Sequence, residues 1–181
     1  MTAHEAQVDD HTDIRDAVAK LCAQFPGEYW RKLDRQMAYP KEFVDALTEA
    51  GYLSVLIPEE YGGLGLTMEE EVLVGFELGY TSPAFRSVIG TNNGIGSQGI
   101  IIDGTEAQKD YWLPRMASGE VIGSFALTEP DVGSDAASVR TTARRDGDSY
   151  VLNGTKRYIT NAPGADAWPI TATNFMLIYK Q

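Results

Sequence analysis

The chain has few of the residues that build disulfide frameworks and metal centres. Its 181 residues include one cysteine, Cys22, and two histidines, His4 and His11. A single thiol excludes an internal disulfide and a thiolate metal cluster, and two histidines in a polar N-terminal stretch favour a solvated tail over a metal site or a catalytic base. Cys22 occupies an apolar position in a helical pattern, so we expect it in the core. No metal site is predicted.

Basic residues and long apolar runs are also scarce. Lysine and arginine total 15 against 26 acidic residues, which gives a net charge of −11. Nucleic acids and anionic membranes bind basic faces, so neither is expected as the main partner. No uncharged apolar run reaches the roughly 18 residues of a membrane span, and the acidic N-terminus is unlike a signal peptide. We therefore predict no membrane span and a cytoplasmic location.

Up to about residue 120 the apolar residues recur at helical spacing. Helices are predicted to begin near Ile14, at Pro40, at a Thr67–Glu70 capping box, at Ser82-Pro83 and at a Thr105–Gln108 capping box. A mostly irregular link, LSVLIPEEYGGLG, separates the second helix from the third. These signals predict an all-α helical bundle domain over residues 1–120.

From residue 121 the period changes to two. VIGSFAL and ASVRTTARR are interpreted as strands, and the turn dipeptides Asp146-Gly147 and Asn153-Gly154 flank SYVL and precede TKRYIT. This pattern predicts an antiparallel meander within an incomplete antiparallel β domain over residues 121–181. The predicted fold class is α+β.

One glycine motif does not fit the chemistry that it suggests. GIGSQG, residues 94–99, matches the dinucleotide pattern G-x-G-x-x-G. That fingerprint needs a buried strand running directly into its first glycine, whereas a helix start and Thr91-Asn92-Asn93 precede it here. Small residues that let two helices approach closely are the better interpretation.

Three motifs in a fixed order indicate a family. IPEEYGGLGLT lies in the helical half, FALTEPDVGSD follows the change of period, and VLNGTKRYITNA comes next. Together they resemble the N-terminal portion of the flavin-dependent acyl-CoA dehydrogenases, from about residue 40 to about residue 167. The resemblance implies a helical domain followed by the start of a middle β-barrel domain. It also implies FAD as cofactor, an acyl-CoA substrate, an electron acceptor such as an electron-transfer flavoprotein, and homo-oligomers at full length.

The resemblance also implies which residues contact the cofactor. These are Phe125, Leu127, Thr128, Gly133, Ser134, Tyr158 and Thr160. In the family the first three positions line the flavin ring, and the threonine hydroxyl hydrogen-bonds to it. The turn at Gly133 and Ser134 reaches toward the pyrophosphate and the acyl-CoA, so Ser134 is also a predicted substrate contact. Tyr158 replaces the usual tryptophan, and Thr160 matches a threonine beside the reactive edge of the ring.

Two further expectations concern residues near these positions. Gly133 is expected to allow a tight turn that a side chain would block. Glu129, Asp131 and Asp135 fall where the family does not place its base, and we expect turn and capping roles for them rather than paired-carboxylate catalysis.

The expected general base is missing from the sequence. In the family a glutamate of a C-terminal helical domain removes the proton α to the thioester, and none of the motifs here supplies it. The resemblance ends near residue 168. We therefore hypothesise a truncated member, read out of frame from about residue 168, that is inactive as an isolated chain. Two alternatives stay open. One is a non-catalytic flavin- or CoA-binding or interaction module, and the other is a flavin oxidase or monooxygenase of the same superfamily.

Overall fold

The computed structural model describes residues 11–162, 167–172 and 175–180, with the backbone alone for the last two ranges and for Phe85. Among these residues seven α-helices precede four β-strands. The helices are α1 Thr12–Cys22, α2 Gly27–Gln36, α3 Lys41–Glu49, α4 Met68–Thr81, α5 Pro83–Ile89, α6 Ser97–Asp103 and α7 Glu106–Ala117. The strands are β1 Thr142–Asp146, β2 Ser149–Asn153, β3 Ala167–Ala172 and β4 Phe175–Lys180. The α+β fold class is confirmed.

The helical half is built on two apolar clusters. The first joins α1, α3 and α4 through buried residues such as Val18, Phe43 and Leu78. The second joins α6 and α7 through residues such as Ile100 and Leu113. Burial of such side chains removes apolar surface from water and is the main favourable contribution to folding. Cys22 lies in the first cluster, as predicted, and burial raises the pKa of its thiol.

The link between α3 and α4 contributes more to the core than its glycines and proline suggest. It forms two short 3₁₀ turns, Tyr52–Ser54 and Glu59–Tyr61. Leu53, in the first turn, and Val55 and Ile57, between the two turns, are fully buried. The link is irregular, as predicted, but its alternating apolar side chains connect the two clusters.

The helix starts follow the capping signals of the sequence. Thr67 and Thr105 each form the predicted capping box, which satisfies backbone N–H groups of the first turns of α4 and α7. Ser82 precedes Pro83 at the start of α5, but its side chain makes no capping hydrogen bond. The two capping boxes are confirmed.

Helix α2 was not predicted because its sequence, GEYWRKLDRQ, has no long apolar stripe, and none of its residues is buried. It is anchored through aromatic edges instead. The ring of Trp30 meets that of Phe43 with centroids 4.8 Å apart, and its indole N–H donates to the Phe25 carbonyl at 2.9 Å.

A π-helical segment, Gly90–Gly96, joins α5 to α6. Such insertions add a residue to a helical turn and occur often at functional sites. It buries Asn92 and Asn93 completely. A Cβ at Gly96 would lie 2.8 Å from the Thr91 carbonyl oxygen and 3.3 Å from Met116 Cε. Close packing is therefore confirmed at Gly96, whereas a Cβ at Gly94 would meet no atom within 4 Å. Helix α5, not a strand, precedes the motif.

The β half consists of two antiparallel hairpins. Strand β1 pairs with β2 in the register Thr142↔Asn153. The predicted hairpin is confirmed, but its two-residue loop is Gly147-Asp148, one residue later than the Asp146-Gly147 dipeptide, with Gly147 at φ +63°. Strand β3 pairs with β4 from Ala167↔Lys180 onward. Pro169 is accommodated because each strand of a two-stranded sheet has an open edge.

Two strand predictions are wrong. Residues 121–127 form isolated bridge positions at Gly123 and Ala126 but no continuous strand, and TKRYIT, residues 155–160, does not extend the β1–β2 hairpin into a meander. The left-handed backbone of Tyr158, at φ 58°, is incompatible with a strand. Gly154 is not a positive-φ turn residue either: a Cβ there would lie 2.3 Å from Thr141 Oγ1, so close packing requires the glycine.

No helix in the described part of the chain combines the length and apolarity needed to cross a bilayer. The described residues also hold no group of three or more histidine, cysteine, aspartate or glutamate side chains arranged to hold a metal ion.

Candidate cofactor site

The structure brings together the two segments that contain most of the predicted cofactor contacts. Residues 123–129 and 156–161, which we call the paired segments, run antiparallel to each other. Near one end Ser124 Oγ donates to the Thr160 carbonyl, and Asn161 Nδ2 donates to the Gly123 carbonyl at 3.3 Å. Near the other end the Arg157 N–H donates to the Thr128 carbonyl at 2.8 Å. Among the described contacts between the paired segments, side chains make most of the hydrogen bonds.

The carboxylate of Glu129 holds the end of the first segment. It accepts hydrogen bonds from the backbone N–H groups of Arg140 (2.8 Å) and Thr141 (2.9 Å) and from the Thr141 hydroxyl. Lys156 Nζ is a further donor, at 2.9 Å. Burial alone would raise the pKa of Glu129, but the bonds from Thr141, Lys156 and Arg140 outweigh it and lower the pKa to about 2. The carboxylate is therefore ionised and fully engaged.

Asp131 and Asp135 stabilise the turn that follows. Asp131 pairs with Arg140 at 3.2 Å on the surface, and Asp135 accepts from the Ser138 hydroxyl at the start of a 3₁₀ turn, Ala136–Ser138. Asp131 lies in the turn, as predicted, whereas Asp135 occupies the N-cap position of the 3₁₀ turn without a capping hydrogen bond from its side chain to the backbone. Glu129 is also structural, but it connects distant segments rather than capping a turn, which local sequence does not reveal.

Tyr158 has the unusual backbone of the site. Its φ of 58° lies in the left-handed region that bulky side chains rarely adopt, and its ring is 77% exposed. The Arg157 guanidinium lies 4.6 Å from the centre of that ring. A strained backbone that holds an aromatic ring out to solvent is a feature that often accompanies ligand sites.

The hydroxyl residues of this region fall into two groups. Those of Ser124 and Thr141 are buried and bonded within the protein. By contrast, no described residue hydrogen-bonds the side-chain hydroxyls of Thr128, Ser134 or Thr160. The three hydroxyls that the resemblance assigns to cofactor or substrate are therefore the ones available for a ligand.

Gly133 and Ser134 are exposed on the turn after Glu129. That turn is closed by reciprocal backbone bonds between Glu129 and Val132. A Cβ at Gly133 would meet no atom within 4 Å, and its φ is not positive. The expectation that the turn itself requires glycine is wrong, and the position instead borders open space.

Asn92 connects the paired segments to the helical half. Its Nδ2 donates to the carbonyls of Leu53 (3.0 Å) and Met116 (3.3 Å), and its Oδ1 accepts from the Gly123 N–H at 2.8 Å. A fully buried amide therefore fixes the start of the first segment. The polar stretch Thr91-Asn92-Asn93 is the available signal, since asparagine side chains that a fold buries need hydrogen-bond partners.

A second buried carboxylate, Glu71, lies in α4. It accepts from Asn93 Nδ2 at 3.2 Å, and Asn93 also donates to the Tyr52 carbonyl. Burial raises the pKa of Glu71 to about 7, although Arg86 and the Asn93 bond act in the opposite direction. Sequence reasoning assigned no role to Glu71, which falls in the acidic run Glu69-Glu70-Glu71.

Comparison with known proteins agrees with this arrangement. Residues 8–120 match the acyl-CoA dehydrogenase N-terminal domain, and residues 124–177 match the acyl-CoA dehydrogenase middle domain. The chain is 36% identical over 166 residues to mitochondrial isovaleryl-CoA dehydrogenase of Bos taurus, covering 91% of this chain and 39% of that protein. It therefore spans about two fifths of the length of that relative.

Solved structures extend the comparison. A glutaryl-CoA dehydrogenase of Mycobacterium smegmatis in complex with FADH2 superposes with a TM-score of 0.87 and 33% identity, covering 95% of this chain and 45% of that chain. A chain from a study of the electron transferring flavoprotein of Acidaminococcus fermentans gives a TM-score of 0.88 and 31% identity over 96% of this chain and 48% of its own. The prolyl acyl carrier protein oxidase AnaB gives 0.84 and 28% over 94% of this chain and 48% of its own.

The matched domains cover most of the sequence, and they agree with the helical half, the hairpins and the order of the three motifs. This chain belongs to the acyl-CoA dehydrogenase family.

Proposed function

We propose that the chain is the FAD-binding part of an oxidoreductase that acts on acyl-CoA thioesters. The observation that carries the proposal is the antiparallel contact between residues 123–129 and 156–161. It brings Thr128, Tyr158 and Thr160 onto neighbouring segments, although some 30 residues separate them in sequence.

The residues present fit a flavin. Phe125 and Leu127 are partly exposed and offer apolar surface, while Tyr158 offers an exposed ring. The hydroxyls of Thr128 and Thr160 are available as neutral donors to a ring that gains electron density on reduction. Open space beside Gly133 leaves room for a phosphate near backbone groups, which a chain of net charge −11 needs in order to hold an anionic cofactor. Bound FAD would supply the acceptor for a hydride from the substrate β carbon.

The chain's own buried carboxylates do not suit proton abstraction. Glu129 is held ionised by four donors, and its low pKa makes it a weak base. Glu71 has a pKa nearer neutrality but is 5% exposed within the helical half. We therefore propose that the isolated chain binds flavin without turning over substrate. Dehydrogenation would then need a base from elsewhere, and electrons would leave to an acceptor such as an electron-transfer flavoprotein.

The direct test is flavin retention. The purified chain, mixed with FAD and desalted, is expected to keep a visible flavin absorbance band at a stoichiometry near one. Thr128→Val removes one available hydroxyl without changing side-chain size, and it should weaken retention, whereas Thr12→Val at the start of α1 should not. Soluble, folded wild-type chain that emerges without a flavin band would contradict the proposal.

A second candidate is supported by the structural likeness to the acyl carrier protein oxidase. In that version the same scaffold passes electrons to oxygen. Oxygen consumption during turnover of the complete enzyme distinguishes the oxidase from the dehydrogenase. Substrate-dependent oxygen consumption at the rate of product formation favours the oxidase. No oxygen consumption during turnover favours the dehydrogenase.

A further inference from the structure

Lys156 occupies an unusual position between the paired segments. Its side chain is only 13% exposed. Its ammonium group donates to the Leu127 carbonyl at 2.9 Å and to Glu129 Oε1 at 2.9 Å. The first acceptor is a backbone carbonyl immediately before Thr128. The Lys156 ammonium therefore connects the second segment to two positions of the first, Leu127 and Glu129.

The absence of a strand over 121–127 makes this contact important. A segment in a sheet is fixed by a ladder of backbone bonds. Over residues 123–129 the backbone forms only isolated bridge positions, and most of the hydrogen bonds between described residues come from side chains. Asn92 holds Gly123 at the start, Ser124 bonds across to Thr160, and Lys156 with Glu129 holds the end. Among the described residues, Lys156 therefore supplies two of the bonds that hold the end of this segment.

The ion pair also sets the local charge. Glu129 and Lys156 neutralise each other and are both largely shielded from water. A charge left unpaired in such surroundings interacts over a longer range than one at the surface, because solvent screens it less. Removal of either partner would therefore leave an uncompensated charge beside Leu127 and Thr128.

We propose that Lys156 is a positioning residue that fixes the Leu127–Thr128 backbone for the flavin, and that its pairing with Glu129 keeps this side of the cofactor site electrically neutral. The inference rests on the proposed function for its cofactor, but the positioning of the segment is measurable without flavin.

The first experiment is amide hydrogen exchange on the flavin-free chain. Lys156→Met keeps the length of the stem and removes the ammonium. It should speed exchange by about tenfold or more in residues 124–129 and 140–141, as expected when a charge-assisted bond is lost. The helical half should be unaffected and so reports that the variant is folded. Lys41→Met is the matched control, because Lys41 forms an exposed pair with Asp45 on α3, and it should change nothing in residues 124–129.

The second experiment uses the FAD-loaded chain and separates positioning from charge. Lys156→Met is expected to weaken FAD binding by about tenfold. The potential of the retained flavin should fall, because the remaining carboxylate opposes reduction. Glu129→Gln should raise that potential, since it leaves an unpaired ammonium, and the double variant should return it toward the wild-type value. Local unfolding alone would not move the two single variants in opposite directions.

The outcomes are distinguishable. Wild-type binding of FAD with unchanged exchange and affinity in Lys156→Met would overturn the inference and leave the proposed function intact. Potentials that shift in the same direction in both single variants would overturn the neutralising role. If the wild-type chain binds no FAD, the proposed function fails, and amide exchange in Lys156→Met alone tests the positioning role. Unchanged exchange rates in residues 124–129 would reject that role, and faster rates would support it.

Discussion

Each half of the molecule buries a glutamate, and the two are held in opposite ways. Glu129, beside the β1–β2 hairpin, meets an ammonium, two backbone N–H groups and a hydroxyl, which together keep it ionised. Glu71, in the helical half, meets one amide donor, and burial dominates its surroundings. Both acids are buried, so burial alone does not set their charge. The difference lies in the number of hydrogen-bond donors that each carboxylate accepts from.

The contrast extends to how each half is stabilised. The helical half is stabilised by two apolar clusters, and its π-helical segment buries the polar side chains of two asparagines. The region from 121 to 162 has few buried apolar residues, among them Ala126, Val132 and Val139, and it relies on the bonds of Glu129, Lys156 and Ser124. Substitutions should therefore affect the two halves differently.

The largest effect is expected from the apolar core. Leu113 is fully buried in the second cluster, so Leu113→Ala should reduce the free energy of unfolding by about 3 kcal/mol through lost burial and the cavity left behind. Chemical denaturation followed by tryptophan fluorescence measures this. Met37→Ala, at a position 94% exposed, should leave the midpoint nearly unchanged. Equal midpoints for the two variants would show that the second cluster does not carry the stability.

Glu71 should make stability fall as the pH rises. Its folded-state pKa is raised from 4.5 to about 7. Its favourable contribution is fully present below 4.5 and is lost as the pH rises to 7, because the unfolded chain gives up the proton first. Glu71→Gln should remove that slope and be more stable than wild type at pH 8 by up to about 3 kcal/mol. Glu69→Gln, which is exposed, is the control; parallel pH profiles for wild type and Glu71→Gln would contradict this account.

Glu129 should act in the opposite direction and at lower pH. Its pKa is lowered from 4.5 to about 2. Its contribution is present above 4.5 and is lost as the pH falls through about 2. Glu129→Gln should cost about 2 kcal/mol at pH 7, because an amide cannot accept from all four donors. Thermal unfolding between pH 2 and pH 7 should show that the variant loses less stability than wild type as the pH falls. An equal loss of stability in both proteins would mean that other carboxylates account for it.

The smallest effect separates two helix starts that look alike in sequence. Thr67→Ala should cost about 1 kcal/mol, because Thr67 completes a capping box. Ser82→Ala should be close to neutral, because the Ser82 side chain makes no capping bond. Urea midpoints of the two variants provide the comparison, and equal losses would show that the cap of α4 contributes no more than that of α5.

Local patterns predicted the elements that local forces determine. The helical period located α1, α3, α4 and α7, and the spacing of Thr67 and Glu70 located a capping box. The Asp146-Gly147 dipeptide located the β1–β2 hairpin. The sequence pattern does not predict helix α2, because that helix is anchored by aromatic edges rather than by an apolar stripe. For residues 121–127, alternation predicts an extended chain but does not show whether a neighbouring segment pairs with it along its length.

The site was predicted in part, for a similar reason. The resemblance indicated Thr128, Tyr158 and Thr160, and these lie on the paired segments, although their contact with a flavin stays a prediction. It did not indicate Glu129, Lys156 or Asn92 as the residues that hold those segments. The bonds of Lys156 to Leu127 and Glu129, and of Asn92 to Gly123, connect positions 27 to 31 residues apart. A single sequence contains no spacing rule for such distances.

The most direct test of the account is hydrogen exchange of the wild-type chain with and without FAD. We expect FAD to slow amide exchange in residues 123–135 and 156–161 and to leave α1, α2 and α3 unchanged. Binding of FAD with protection confined to the helical half, or spread evenly over the chain, would contradict the assignment of the paired segments as the cofactor site.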